Sequence, residues 1–263
     1  MKAVDTHAHL DFPQFDADRD KLLAELAIEQ IGVISVATDW ESNQKVVDLA
    51  SDNELVWAAI GLHPTEIDPD TLANLAPQLE RLKALANSSG KVVAIGEIGL
   101  DYHREESRTR AEIQKAVLRQ FLTLATELNL PVVFHCRDAY GDLLTILANY
   151  PDTRGVIHCF TGTTDEAKRF SDKGLLISFT ATVTYKANTG QRQTVATVPL
   201  DKILLETDSP FLVPESRRGK RNDPRTVLKI AKTLAEVKGV ADSEILRQTT
   251  QNAIKLFNLE RAG

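Results

Sequence analysis

Histidine and carboxylate side chains fall at one kind of place in this sequence, directly after short apolar runs. His7 and His9 follow residues 3–6, His63 follows 56–60, and Glu97 follows 92–96. His135 and His158 follow 132–134 and 155–157, and Asp208 lies just past 203–206. Neutral imidazole and carboxylate together form the ligand set of divalent ions such as Zn²⁺, Mn²⁺ or Fe²⁺. In His7-Ala8-His9, side chains two apart on an extended strand point the same way, so both rings can reach one ion. Two pairs of histidines with Glu97 and Asp208 suffice for two ions that share a carboxylate bridge. A lone His-x-His is weak evidence, since a single histidine is more often a hydrogen-bonded, half-buried side chain. Six such positions gathered at one place turn the reading towards a metal site.

What gathers them is the order of elements. Strands are expected near residues 3–6, 33–37, 56–60, 92–96, 132–134, 155–157, 175–179 and 203–206. These runs are rich in Val and Ile and alternate little with polar residues, which fits strands buried on both faces of a parallel sheet. Amphipathic stretches lie between them. Residues 19–30 carry Leu22, Leu23, Leu26 and Ala27 on one stripe, and 105–129 carry Ile113, Val117, Phe121, Leu124 and Leu128 at three- and four-residue spacing. Pro131 marks the stop of the long helix and the start of the fifth strand. After the eighth strand, helices near 224–238 and 242–257 complete an outer ring. With no linker or low-complexity break, the expectation is α/β, one domain over residues 1–263: a single (β/α)₈ TIM-type barrel with extra C-terminal helices. In such a barrel the C-terminal strand ends form the mouth where active sites sit, so residues from both ends of the sequence converge.

Composition bounds the partners. The net charge of −6 argues against a general DNA-coating protein, so any positive potential has to be local or supplied by bound cations. Two cysteines, Cys136 and Cys159, indicate no disulfide framework. The N-terminus has no signal-peptide pattern and no apolar run is long enough to span a bilayer, so a cytoplasmic protein without a membrane partner is expected. Aromatics make up 6% and fall mostly inside helices or strands, so no stacking platform or long nucleic-acid groove is expected.

The segments Asp5-Thr6-His7-Ala8-His9-Leu10, Gly61-Leu62-His63-Pro64, Gly96-Glu97-Ile98-Gly99-Leu100-Asp101-Tyr102, His135-Cys136-Arg137-Asp138-Ala139, His158-Cys159-Phe160-Thr161-Gly162 and Glu206-Thr207-Asp208-Ser209-Pro210 resemble the ordered motifs of the TatD family. That family belongs to the amidohydrolase superfamily of metal-dependent barrels, and the resemblance covers essentially the whole chain. It implies that His7, His9, Glu97 and Asp208 bind one divalent ion and that Glu97, His135 and His158 bind a second, the ions being Zn²⁺, Mg²⁺ or Mn²⁺. It also implies a metal-dependent deoxyribonuclease, a 3'-5' exonuclease acting on single-stranded or frayed DNA ends, working as a monomer. The sequence departs from the pattern at His103, where the family often carries a second tyrosine; His103 reads as a surface-loop residue.

Three further features bear on substrate. His63 sits at the same mouth outside the implied ligand set, and reads either as holding a phosphate or leaving group or as a structural histidine behind the ligands. Asp101 and Tyr102 are expected at the rim. Arg217-Arg218-Gly219-Lys220-Arg221-Asn222 puts four basic residues into five positions just after the eighth strand and resembles the family's basic segment. Lys220 and Arg221, with Arg137, are therefore read as phosphate contacts. The expected chemistry is metal-assisted hydrolysis with Asp208 as proton acceptor, and Glu206, two residues earlier, either orients it or packs within the strand end. Two rivals stand beside the nuclease: a small-molecule ester or amide hydrolase, for which the basic loop has no use, and a non-catalytic metal-binding accessory protein, which would close its metals off.

Overall fold

The run Ile-Gly-Val-Ile-Ser-Val at residues 31–36 has no polar face, and in the computed structural model, which describes residues 1–259, every residue of it is buried. It is one of eight parallel strands: β1 (Ala3–Ala8), β2 (Ile31–Val36), β3 (Val56–Ile60), β4 (Val92–Asp101), β5 (Val132–Arg137), β6 (Gly155–Ile157), β7 (Leu176–Phe179) and β8 (Ile203–Leu205). Their order in the sheet is their order in sequence. Past β8 the chain returns to β1. The Asp208 N–H donates to the His7 carbonyl at 2.9 Å, the His9 N–H donates to the Ser209 carbonyl at 2.8 Å, and Ala8 bridges Ser209. The sheet thereby closes into the expected eight-stranded barrel.

Ten helices follow the strands: α1 (Arg19–Glu29), α2 (Ser42–Ser51), α3 (Thr71–Ser88), α4 (Glu105–Thr109), α5 (Ala111–Leu128), α6 (Tyr140–Leu147), α7 (Thr164–Asp172), α8 (Thr189–Thr197), α9 (Val227–Lys238) and α10 (Asp242–Phe257). None is long and apolar enough to cross a membrane. The apolar stripe of α5 buries Val117, Phe121 and Leu124 against the outside of the sheet. Burial on this scale contributes about 1.5–3 kcal/mol for each large side chain. A smaller cluster takes Val4, Ile34, Trp57, Val133, Val156 and Leu204 from six strands, together with Phe257 from α10, and so fills the barrel interior.

Two details differ from the sequence expectation, and both shape the mouth. The helix expected over 105–129 is broken at Arg110, whose backbone is non-helical and whose guanidinium donates to the Ile67 carbonyl at 3.0 Å. β4 does not end before Glu97 but runs on to Asp101, with an irregularity in its pairing to β5 between Ile95 and Ile98. Beyond it Gly99 lies opposite His135, and a Cβ on Gly99 would meet the His135 carbonyl oxygen at 1.9 Å. Only glycine permits this approach, which carries both Glu97 and Asp101 up to the side chain of His135.

Candidate metal centre

Four imidazoles converge on one buried carboxylate. Nε2 of His158 and Nδ1 of His135 each lie 2.8 Å from Glu97 Oε1, His63 Nε2 is 3.5 Å from the same oxygen, and His7 Nε2 is 3.3 Å from Oε2. Asp208 stands on the other side of His7, 3.8 Å from its Nε2 and 3.3 Å from Nε2 of His9. Three groups of donor atoms within 4.8 Å of one another result: His7 with His9 and Asp208, His7 with Glu97 and His158, and His63 with Glu97 and His135. His7 and Glu97 each belong to two of these groups.

The rings are oriented from behind. The Val36 carbonyl accepts a hydrogen bond from His9 Nδ1 at 2.9 Å, which turns Nε2 towards Asp208. Asp101 Oδ2 lies 3.0 Å from His135 Nε2, on the side opposite Glu97. Glu206, fully buried, accepts from the Cys159 N–H and faces His158 Nδ1 at 3.4 Å. A carboxylate or carbonyl behind a ligating imidazole fixes its tautomer and raises its basicity, a recurrent arrangement around metals. Asp208 itself has a left-handed backbone (φ 54°), sparsely populated by residues other than glycine. Its anchored N–H on the His7 carbonyl holds it there.

The local field suits a cation. Burial raises the affinity of Glu97 for a proton, but the His158, His63 and His7 rings and the hydrogen bond from His135 overcome this and hold the carboxyl well below its ordinary range. Burial likewise opposes ionisation of Asp208, and the hydrogen bond from His9 outweighs it. The reciprocal effect lifts His9 to about 9 against the pull of burial. His63 is depressed by burial to about 3, despite Glu97, and is neutral at physiological pH. Both nitrogens of His7 are buried without a hydrogen-bond partner, as is Nδ1 of His158. A buried imidazole lacking partners is costly unless something else takes its lone pair. The donor set and the orphaned Nε2 of His7 fit divalent metal ions.

The centre opens into a cavity of about 300 Å³ lined in part by Glu97, His135, His158, Asp208 and His63. His63 is thus where the sequence put it, and it is also close enough to Glu97 to count among the donors. The basic residues are not. Arg137 is exposed at the end of β5 and does not line the cavity. Lys220 is exposed on the loop after β8 and does not line it either. Arg221, expected as a phosphate contact, forms a two-pronged ion pair with Asp18 at 2.7 Å, donates to the Gln14 carbonyl and stacks on Phe15. Its donors are committed within the protein because the loop after β1 offers an acidic partner that the linear sequence does not reveal. His103 is a surface residue 3.1 Å from Asp138. Tyr102 is half-buried and donates to Asp142 at 2.9 Å.

Phe12 and Phe211 were not expected at the mouth. Phe12 stacks on His9 with centroids 4.8 Å apart, and Phe211 meets Phe12 edge to face at 5.9 Å. Both line the cavity. Their signal was present in the sequence, since each lies three residues after a metal-type ligand, Phe12 after His9 and Phe211 after Asp208.

Comparison with known proteins agrees with this geometry. The profile of the TatD-related DNase family matches residues 4–258. The chain is 38% identical over 258 residues to the uncharacterized metal-dependent hydrolase YabD of Bacillus subtilis, covering 97% of this chain and 98% of that one. It is 36% identical over 252 residues to the 3'-5' ssDNA/RNA exonuclease TatD of Cronobacter sakazakii, covering 93% of each. The crystal structure of YjjV, a TatD homologue from Escherichia coli K12, superposes with a TM-score of 0.87 at 33% identity, covering 98% of each chain. With an eight-stranded barrel, a histidine–carboxylate centre fitted to metal and relatives matched along their whole length, this chain belongs to the TatD family of metal-dependent hydrolases.

Proposed function

We propose that the protein is a deoxyribonuclease that removes nucleotides 3'-5' from single-stranded or frayed DNA ends, using two divalent ions. The observation that supports the reading is that His7 and Glu97 each fall in two of three adjoining donor groups, which together offer more ligands than one ion takes; the division between two ions follows the family resemblance. His7, His9, Asp208 and Glu97 hold one ion, and Glu97, His135 and His158 hold the other. Imidazole-rich donors favour Zn²⁺ or Mn²⁺ over Mg²⁺, which prefers oxygen. Bound ions of this kind stabilise charge on phosphoryl oxygens and lower the pKa of water from about 15.7 towards about 7.

The chain's own groups then divide the work. Asp208, kept ionised by His9, accepts the proton of the attacking water. His63 is neutral, so it can donate one N–H to a phosphate oxygen without adding charge to the pocket. Support for a nucleic-acid substrate comes from the family description and from the name of the Cronobacter relative.

The test is metal-loaded protein against end-labelled single- and double-stranded DNA, RNA and a small phosphodiester, beside its Asp208→Asn variant. Stepwise loss from the 3' end is expected, and Asp208→Asn should slow it by about 10²-fold or more if Asp208 is the base. Turnover of a small ester or amide with every phosphodiester left intact refutes the reading.

A further inference from the structure

Phe211 is alone among the aromatic side chains of residues 1–259 in being exposed, at 45%. A single exposed apolar residue ordinarily needs no explanation. This one lines the cavity that holds Glu97 and Asp208, and its backbone N–H donates to the Asp208 carbonyl at 2.9 Å, which ties the ring to the proposed catalytic residue. Phe12 stands nearly perpendicular to it, at 80°, with its own plane nearly parallel to His9 (22°). The two rings form an apolar corner, backed by His9 and open to the cavity.

Resting on the nuclease reading above, we infer that Phe211 and Phe12 form a shelf on which one nucleobase, that of a nucleotide flanking the scissile phosphate, stacks while the phosphate sits at the metal centre. A phenyl face has no hydrogen-bonding group with which to read base edges, and every base has a π-face, so such a shelf accepts any of the four. That tolerance is what an enzyme shortening a strand nucleotide by nucleotide requires. Two rings serve one base rather than a long strand, consistent with an acidic protein of net charge −6. The shelf also supplies binding independent of charge.

The experiment is fluorescence anisotropy of metal-loaded protein with a 5'-labelled single-stranded oligonucleotide whose 3'-terminal linkages are cleavage-resistant phosphorothioates. Two companion oligonucleotides carry an abasic sugar at the terminal or the penultimate position. Loss of the base at one of these two positions should weaken binding about tenfold or more, the range of base–aromatic stacking. Phe211→Ala should bind the intact strand and that abasic strand equally, Phe211→Trp should restore the difference, and metal content should be the same in all three proteins. Equal affinity of the wild type for all three strands, or an equal loss on every strand in Phe211→Ala, overturns the shelf while leaving the nuclease reading in place. Failure of every oligonucleotide to bind overturns both.

Discussion

Replacing Glu206 by glutamine separates a structural from a metal-supporting role of this buried carboxylate. Its Oε1 accepts from the Cys159 N–H and faces Nδ1 of His158 at 3.4 Å, whereas Oε2 has no partner. Glutamine keeps the shape but removes the charge behind His158, so that imidazole becomes a poorer ligand. Loss of such a partner typically lowers metal affinity about 10–100-fold, or about 1.4–2.7 kcal/mol. The amide also brings a cost of its own. With NH₂ at the Oε2 position the new donor meets no acceptor, and with NH₂ at the Oε1 position it opposes the Cys159 N–H. Either way a buried donor is left over, at about 1–3 kcal/mol. Against a typical total stability of about 5–15 kcal/mol the variant still folds, and its melting temperature should fall by about 2–4 °C for each kcal/mol lost. Competition with a chromophoric chelator gives the affinity for Zn²⁺ or Mn²⁺, and thermal unfolding of chelator-treated protein gives the structural share. A lowered melting temperature with wild-type metal affinity would show that Glu206 merely fills the strand end, and the orienting argument would be wrong.

Three further outcomes follow from the loop after β8 and from the cysteines. Arg221→Ala should lower the melting temperature, because it breaks the forked pair with Asp18, and should leave the salt dependence of DNA binding unchanged. Lys220→Ala should leave stability alone and reduce the slope of log affinity against log salt by about 0.7, one single-strand phosphate contact; the opposite pattern would restore Arg221 as the contact. Burial pushes the Cys159 thiol up to about 12 and raises Cys136 as well, so at pH 8 almost no thiolate exists in the folded protein. Iodoacetamide should therefore leave activity intact at pH 8, and rapid inactivation with label on Cys159 would show that its thiolate is accessible after all.

Much of this was legible in the sequence because parallel strands buried on both faces leave a strong signal. The apolar runs at 56–60 and 155–157 coincide with β3 and β6. His7, His9, His135 and His158 were found because imidazoles beside such runs are few. β4 was read too short because Gly99-Leu100-Asp101 contains a glycine, which argues for a turn locally but here permits close approach to His135. Asp101 was expected only at the rim and Glu206 behind Asp208 or within the strand end, whereas they face His135 and His158; whether a carboxylate points at a ring depends on register between strands, 34 residues apart for one pair and 48 for the other. The basic segment meets the same limit. Its charges are local in sequence, but the acids that neutralise them, Asp18 above all, come from elsewhere in the chain.

That neutralisation bears on how an acidic protein meets a polyanion. Of the four cations at 217–221, Arg221 is paired with Asp18, Arg217 lies 3.8 Å from Asp223, and Arg218 stacks on Tyr185 at 4.8 Å. The mouth itself presents carboxylates held as anions, Glu97, Asp208 and Asp101, the last lowered to about 2 by its hydrogen bond from His135 against the effect of burial. Taken alone, these side chains repel phosphate at the place where the proposed chemistry occurs. On the two-ion reading the attraction is carried by the bound cations, which reverse the sign of the local field. Metal and nucleic acid then favour each other's binding by the same factor, because coupling between two sites is reciprocal. On the same reading the phosphate is held by the centre and the base by the apolar corner beside it. On that reading, a protein of net charge −6 can take up the end of a strand through its bound cations rather than through its own basic side chains.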